Sequence, residues 1–150
     1  MTVRRVLSSD IPAVVELRRA MWNELHPEAP ADAIMLESTA RYLREGLESG
    51  RVQGWIVVDD APIGMALLVV QEHPPRPSGR ELRGYVTAVF VDPAHRRRGH
   101  ARALMLAVAE YAHQEGFRRI MLRTTDQARR LYASVGYRAL ETLARDFPSE

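Results

Sequence analysis

The amino-acid sequence predicts a single α/β domain, residues 1–150, built on a mixed sheet. Three observations lead there. A chain of 150 residues is the usual size of one domain and can bury a sizeable core. Its apolar residues change period along the chain, from helical spacing near the N-terminus to short β-rich runs between residues 54 and 91 and then back. The elements follow the order β-α-α-β-β-β-α-β-α-β with no internal repeat, low-complexity tract or linker, so strands and helices share one core.

Each element has a local cause. "TVRRVL" at residues 2–7 reads as a short strand. In "SSDIPAVVEL" a helix begins: Ser9 or Asp10 can cap it, and Pro12 is tolerated in the first turn, where its missing N–H has no partner to lose. Ile11, Val14, Val15, Trp22 and Leu25 then keep helical spacing, with Arg18 as the one polar intrusion. "HPEAPADA" breaks that pattern. A second helix is expected from Ala33 to Glu48, with Leu36, Ala40, Leu43 and Leu47 on one stripe and Gly50 just past its end.

"GWIVVDD" and "PIGMALLVV" are strands joined by a hairpin turn at "DDAP". "EHPPRPSGRE", residues 72–81, reads as a loop too rigid and polar for an element, and "LRGYVTAVFV" as a third strand closed by Asp92-Pro93. From Gly99 to Gly116 the period is helical, with Ala101, Leu104, Met105, Val108, Tyr111 and Ala112 on one face. "FRRIMLRT" is a further strand, "DQARRLYASVG" a short helix stopped by Gly136, and "YRALETLARDF" one or two closing strands. The hairpins must be antiparallel. "GYVTAVFV", the helix and "RRIMLR" together have the length of a right-handed parallel crossover.

Composition narrows the function. The formal net charge is only +2, and the pI of about 9.4 reflects arginine's very high pKa more than a large positive excess, so nonspecific nucleic-acid binding is not expected. There is no cysteine, which removes disulfides, thiolate metal sites and a cysteine nucleophile. The N-terminus has no apolar core of a secretory signal, and the longest apolar run, "IGMALLVV", is far short of a membrane span. A soluble, cytoplasmic protein without membrane partners is expected.

The run "RRRGHARAL" from Arg96 to Leu104 carries the most chemistry. It lies between a strand and a helix start, where the first N–H groups lack internal partners and the helix dipole favours an anion. Gly99 has no Cβ, so a phosphate can approach its backbone, and flanking arginines can add charge-assisted hydrogen bonds. The run is neither a nucleotide P-loop nor a three-glycine dinucleotide fingerprint. A solvated loop is the plain alternative.

Arg96-Arg97-Arg98-Gly99-His100-Ala101 resembles the Gln/Arg-x-x-Gly-x-Gly/Ala signature of the GNAT superfamily of N-acetyltransferases, and "VFVDPAHRRRGHARAL" looks like its acetyl-CoA-binding motif. "TTDQARRLYASVGY" resembles the same family's C-terminal motif. Together they cover about Tyr85 to Tyr137. The resemblance implies a GNAT-like fold: a mixed, mostly antiparallel sheet of about six or seven strands flanked by about four helices. It implies acetyl-CoA as co-substrate, Val89 and Val91 offering backbone groups to the pantetheine arm, and the amides of Arg97, Arg98, Gly99, His100 and Ala101 on the pyrophosphate with Arg96 nearby. Tyr132 would stand beside the thioester sulfur as general acid. The sequence departs from the pattern twice: Ala101 replaces the frequent last glycine, and Thr125 replaces a frequent asparagine, its hydroxyl still able to reach the cofactor.

Such a site transfers acetyl to an amine. The CoA thiol has a pKa near a cysteine's, about 8.5, and a phenol about 10, so a tyrosine stays protonated to donate as sulfur leaves. Tyr132 also shares a stripe with Leu131 and Val135, and core packing is its plain alternative. Glu81, His73 and Glu72 are candidate bases for the amine, a water chain being the other route. His95 and His100 lack a third ligand, so no metal is expected. Trp22, Trp55 and Met21 are candidates to line the acceptor site, "EHPPRPSGRE" to border it, and Glu24 and Glu28 to attract a cation. The expected acceptor is a small-molecule primary amine, with a protein N-terminus or lysine as the nearer rival. A non-catalytic acyl-CoA sensor and a small nucleic-acid-binding domain are readings from other classes. A homodimer is open.

Overall fold

A computed structural model of the chain describes residues 2–149. Its five strands lie side by side in chain order: β1 (Thr2–Arg5), β2 (Val52–Asp59), β3 (Ala61–Arg76), β4 (Gly79–Val91) and β5 (Arg119–Leu122). β1 to β4 pair antiparallel, and β5 runs parallel to β4. Helices α1 (Ile11–Leu25) and α2 (Ala33–Ser49) fill the connection from β1 to β2, α3 (His100–Gln114) makes the crossover from β4 to β5, and α4 (Arg129–Ser134) follows. Among the described residues no helix is long and apolar enough to cross a membrane.

Strand alternation divides the core into two layers. Ile56, Met65, Leu67 and Phe90 pack with Val14, Leu17 and Leu43 of α1 and α2. The intervening Trp55, Val57, Ala66 and Leu68 pack with Leu104, Met105 and Val108 of α3 on the other face. Burying each such large side chain contributes roughly 1.5–3 kcal/mol. Helix ends follow the expected chemistry at α2: the Asp32 carboxylate accepts from the Met35 N–H at 2.8 Å, and Gly50 closes the helix at φ 79°. Asp10 stands at the start of α1 but does not cap it. Its carboxylate turns back to the Arg4 guanidinium, at 2.7 and 2.9 Å, and to the Leu7 N–H at 2.7 Å.

Three expectations need correction. Residues 72–81 are not a loop: β3 and β4 continue as one long hairpin, pairing as far as Arg76 with Gly79. The prolines at 74 and 75 fall in the irregular step between His73 and Arg76, where no ladder N–H is demanded. Charge holds the arm together, with Glu72 on Arg80, and Glu81 ringed by Arg83 at 3.1 Å, Arg118 at 3.5 Å and Arg76 at 3.8 Å. Second, no strand forms after α4 among the described residues. Leu143 and Phe147 of that segment stay exposed, so it gains neither a ladder nor an apolar face to bury. Third, among the described residues the sheet therefore has five strands rather than six or seven, while the four α-helices are as expected.

Candidate active site

The ladder between β4 and β5 is short: Arg83–Val86 pair with Arg119–Leu122, and there the two chains part. β4 runs on through Val91 bonded to β3 alone, while the chain after β5 turns into α4. A wedge opens along that side of β4, and the backbone groups on its wall need water or a ligand as partners. A β-bulge accompanies the parting. Leu67 faces Ala88 and Leu68 faces Val86, which leaves Thr87 as the extra, exposed residue and bends the strand. The wedge is a cleft of about 680 Å³, within the usual size of a small-molecule site.

At the end of β4 the chain makes a short 3-10 turn, Pro93–His95, capped by the Asp92 carboxylate accepting from the Ala94 N–H at 3.0 Å. Arg97 (φ 65°) and Gly99 (φ 83°) then adopt left-handed conformations on either side of Arg98. Alternating hand turns successive N–H groups toward one side, which forms a concavity suited to an anion. Gly99 caps α3, whose first amides follow directly. A Cβ on Gly99 would meet no heavy atom within 4 Å, so glycine is required there by its dihedral angle and the space above it is open.

Arg96 is occupied otherwise. Its Nε donates to the Val91 carbonyl at 2.8 Å, and its Nη1 and Nη2 donate to the two Glu24 carboxylate oxygens at 2.8 and 2.6 Å. The guanidinium also lies 5.4 Å from the centre of the Phe90 ring. This fork holds the Glu24 carboxyl below its usual range and ties the loop to the last turn of α1. Glu24 is therefore committed to Arg96, and Glu28 lies 3.6 Å from His26. His95 and His100 both border the cleft, each with a buried Nδ1 that has no partner among the described residues.

The opposite wall comes from Leu122, Arg123 and α4. The Thr125 hydroxyl accepts from the Ala128 N–H at 3.3 Å, which opens the turn into α4 and leaves its own proton free to donate. Tyr132 lines the cleft half-buried, its ring 5.9 Å from that of Tyr137 at an interplanar angle of 61°. Burial pushes the Tyr132 phenol above its ordinary pKa of 10.0, so it is protonated at neutral pH.

Of the site residues expected from the sequence, Val89, Val91, Arg96, Arg97, Gly99, His100, Ala101, Thr125 and Tyr132 border this one cleft, and the Arg98 side chain does not. Glu72, His73 and Glu81 sit on the far arm of the hairpin, outside it. Glu81 is buried among its three arginines, and no residue of 72–81 borders the cleft. Trp55 is a core residue packed edge-on against Tyr111. Met21 lines the cleft, and Trp22 lines a second recess of about 460 Å³ between α1, α2 and the sheet, which shares Thr87 and Ala88 with the cleft in its lining. Sequence reasoning missed Thr87, because nothing in "GYVTAVFV" marks which residue bulges.

Comparison with known proteins agrees with this architecture. The model of the acetyltransferase (GNAT) family matches residues 11–137. Glucosamine 6-phosphate N-acetyltransferase of Trypanosoma brucei brucei is 29% identical over 83 residues, a match spanning 55% of this chain and 55% of that protein, about half the length of each. A GCN5-related N-acetyltransferase from Ralstonia eutropha JMP134 superposes with a TM-score of 0.77 at 29% identity, over 97% of both chains. A predicted acetyltransferase from Clostridium acetobutylicum, solved with acetyl-CoA, superposes with a TM-score of 0.81 at 18% identity, over 97% of this chain and 95% of that one. A family match running from the first turn of α1 to Tyr137, on a sheet that splays beside a glycine-capped crossover helix, shows that the chain belongs to the GNAT family of acetyltransferases.

Proposed function

We propose that the protein moves an acetyl group from acetyl-CoA to the primary amine of a small molecule by direct attack in a ternary complex. One observation carries this reading: the amide concavity of Arg97–His100 and the Tyr132 phenol border the same cleft, where β4 leaves β5. The open concavity at Gly99 suits a diphosphate. Acetyl-CoA, when bound, supplies acetyl activated as a thioester. The amides from Arg97 through Ala101 hold the diphosphate, and the backbone groups of Val89 and the Val91 N–H orient the pantetheine arm, the Val91 carbonyl being taken by Arg96. An N–H on this stretch of β4 polarises the carbonyl oxygen. Tyr132 holds its proton on Oη and gives it to the departing sulfur. With Glu72, His73 and Glu81 outside the cleft, water carries the proton from the amine. The glucosamine 6-phosphate specificity named for the trypanosomal relative supports a small-molecule acceptor.

The test is free-thiol release from acetyl-CoA across a panel of amino sugars, amino acids, polyamines and peptides, run on the wild type and Tyr132→Phe. The variant should lose about 10²- to 10⁴-fold in kcat while binding CoA as before. An unchanged rate removes Tyr132 from the mechanism. No release with any amine, alongside intact CoA binding, replaces the enzyme with an acyl-CoA sensor.

A further inference from the structure

The recess beside the cleft carries one charge. Arg18 enters it from α1 and Ser38, Thr39 and Tyr42 from α2, with Trp22 and Thr87 completing the polar and aromatic lining. Among the described residues no carboxylate lines it. Arg18 interrupts the otherwise apolar stripe of α1, where a charge facing the interior is costly unless partnered. Arg18 is half-buried and has no carboxylate within 4 Å among the described residues. Its guanidinium lies 5.7 Å from the centre of the Trp22 ring, a contact that steadies it and leaves its N–H donors to water or a ligand, with no protein acceptor among the described residues. Partial burial lowers its pKa from the usual value, as expected of a cation lacking a counter-ion.

We propose that Arg18 binds an anionic group, a carboxylate or a phosphate, on the acceptor, whose amine then passes Thr87 to reach the cofactor cleft. This inference rests on reading the neighbouring cleft as the acetyl-CoA site. The guanidinium fork matches either oxyanion, and the surrounding hydroxyls of Ser38 and Tyr42 can add donors. A polycationic acceptor finds no acid in the recess and meets Arg18 as a like charge. A purely apolar one leaves the guanidinium unpaired. With Glu24 already bound to Arg96, the neighbouring end of α1 offers no free carboxylate to a cation either.

The experiment uses matched amines that differ in one anionic group: glucosamine 6-phosphate against glucosamine, and L-phenylalanine against L-phenylalaninamide. For each pair, kcat/KM is read from thiol release and Kd from calorimetry on the CoA-loaded protein. The wild type should favour the anionic member of at least one pair by about 10- to 100-fold, the scale of a charged hydrogen-bonded contact. The pair that responds identifies phosphate or carboxylate. In Arg18→Ala the ratio should collapse toward unity, and in Arg18→Lys it should be partly kept. Arg18→Gln serves if the alanine variant does not fold, judged by melting and CoA binding. No preference in either pair, by rate and by binding, overturns the proposal, as does an Arg18 variant that weakens both members equally. Anion-selective binding without thiol release sinks the transfer reaction but leaves Arg18 standing. Release that ignores the anion does the reverse.

Discussion

Gly99 and Gly116 have nearly the same backbone conformation in different places, which makes them a matched pair of perturbations. Their φ angles are 83° and 76°, and in neither case would an added Cβ meet a heavy atom within 4 Å. An alanine at either site therefore suffers only the left-handed backbone penalty, about 1–2 kcal/mol, offset by about 0.4–1 kcal/mol from a less free unfolded chain. The net loss of about 0.5–1 kcal/mol corresponds to roughly 1–4 °C in melting temperature for a domain of this size. Both variants should show it. Gly99, however, borders the cleft and Gly116 ends α3 outside it. Relaxing φ at position 99 swings the amides of residues 99 and 100 out of the concavity. Each hydrogen bond to a charged phosphate is worth about 1.5–3 kcal/mol, so CoA affinity should fall at least about tenfold. Thermal melts and isothermal titration with CoA on Gly99→Ala and Gly116→Ala provide the test. Equal melting losses with a CoA defect confined to Gly99→Ala are expected. A CoA defect of the same size in both variants, or in neither, would refute the amide concavity as the diphosphate site.

Two further predictions concern stability. Burial pushes the Tyr137 phenol up to about 12, and its hydroxyl has no partner among the described residues. Its folded pKa exceeds its unfolded value near 10, so the stability it contributes is present below about pH 10 and lost as pH rises toward 12. Tyr137→Phe should melt no lower than the wild type at pH 7 and lose less stability between pH 10 and 12, in a chain whose 21 basic residues are all arginine. A variant that melts several degrees lower at pH 7 would show that the hydroxyl has a partner after all. Glu24→Gln should destabilise by less than about 1 kcal/mol at pH 7, because the fork with Arg96 is solvent-exposed. The Glu24 carboxyl is held below its usual pKa, so this difference is present above about pH 4.5 and vanishes as pH falls through the folded value or as salt is raised. A gap that persists in acid would assign the effect to packing rather than charge.

The helix of residues 33–49 with its stop at Gly50 and the crossover between β4 and β5 were legible because each is set by neighbours within a few residues, through period and cap chemistry. So was the start of α3, where a glycine between a strand and a helix marks the boundary. The hairpin arm at 72–81 was hidden because its cohesion comes from Glu81 meeting Arg76, Arg83 and Arg118, a cluster that composition reads only as solvated charge. The segment after α4 was misread for the opposite reason: its alternation allows a strand, but a strand also needs an edge to pair with.

The sequence by itself determined the α/β class with its mixed sheet, the glycine at the start of the crossover helix and the short tyrosine-bearing helix, since period and short motifs depend on local conformation. Only the tertiary structure decided that Arg96 serves Glu24, 72 residues away, that Thr87 bulges where β4 leaves β5, and that Arg18 stands in a recess without a counter-ion. Those outcomes depend on which distant surfaces meet, and charge has no sequence signature that tells a solvated side chain from one enclosed by another element.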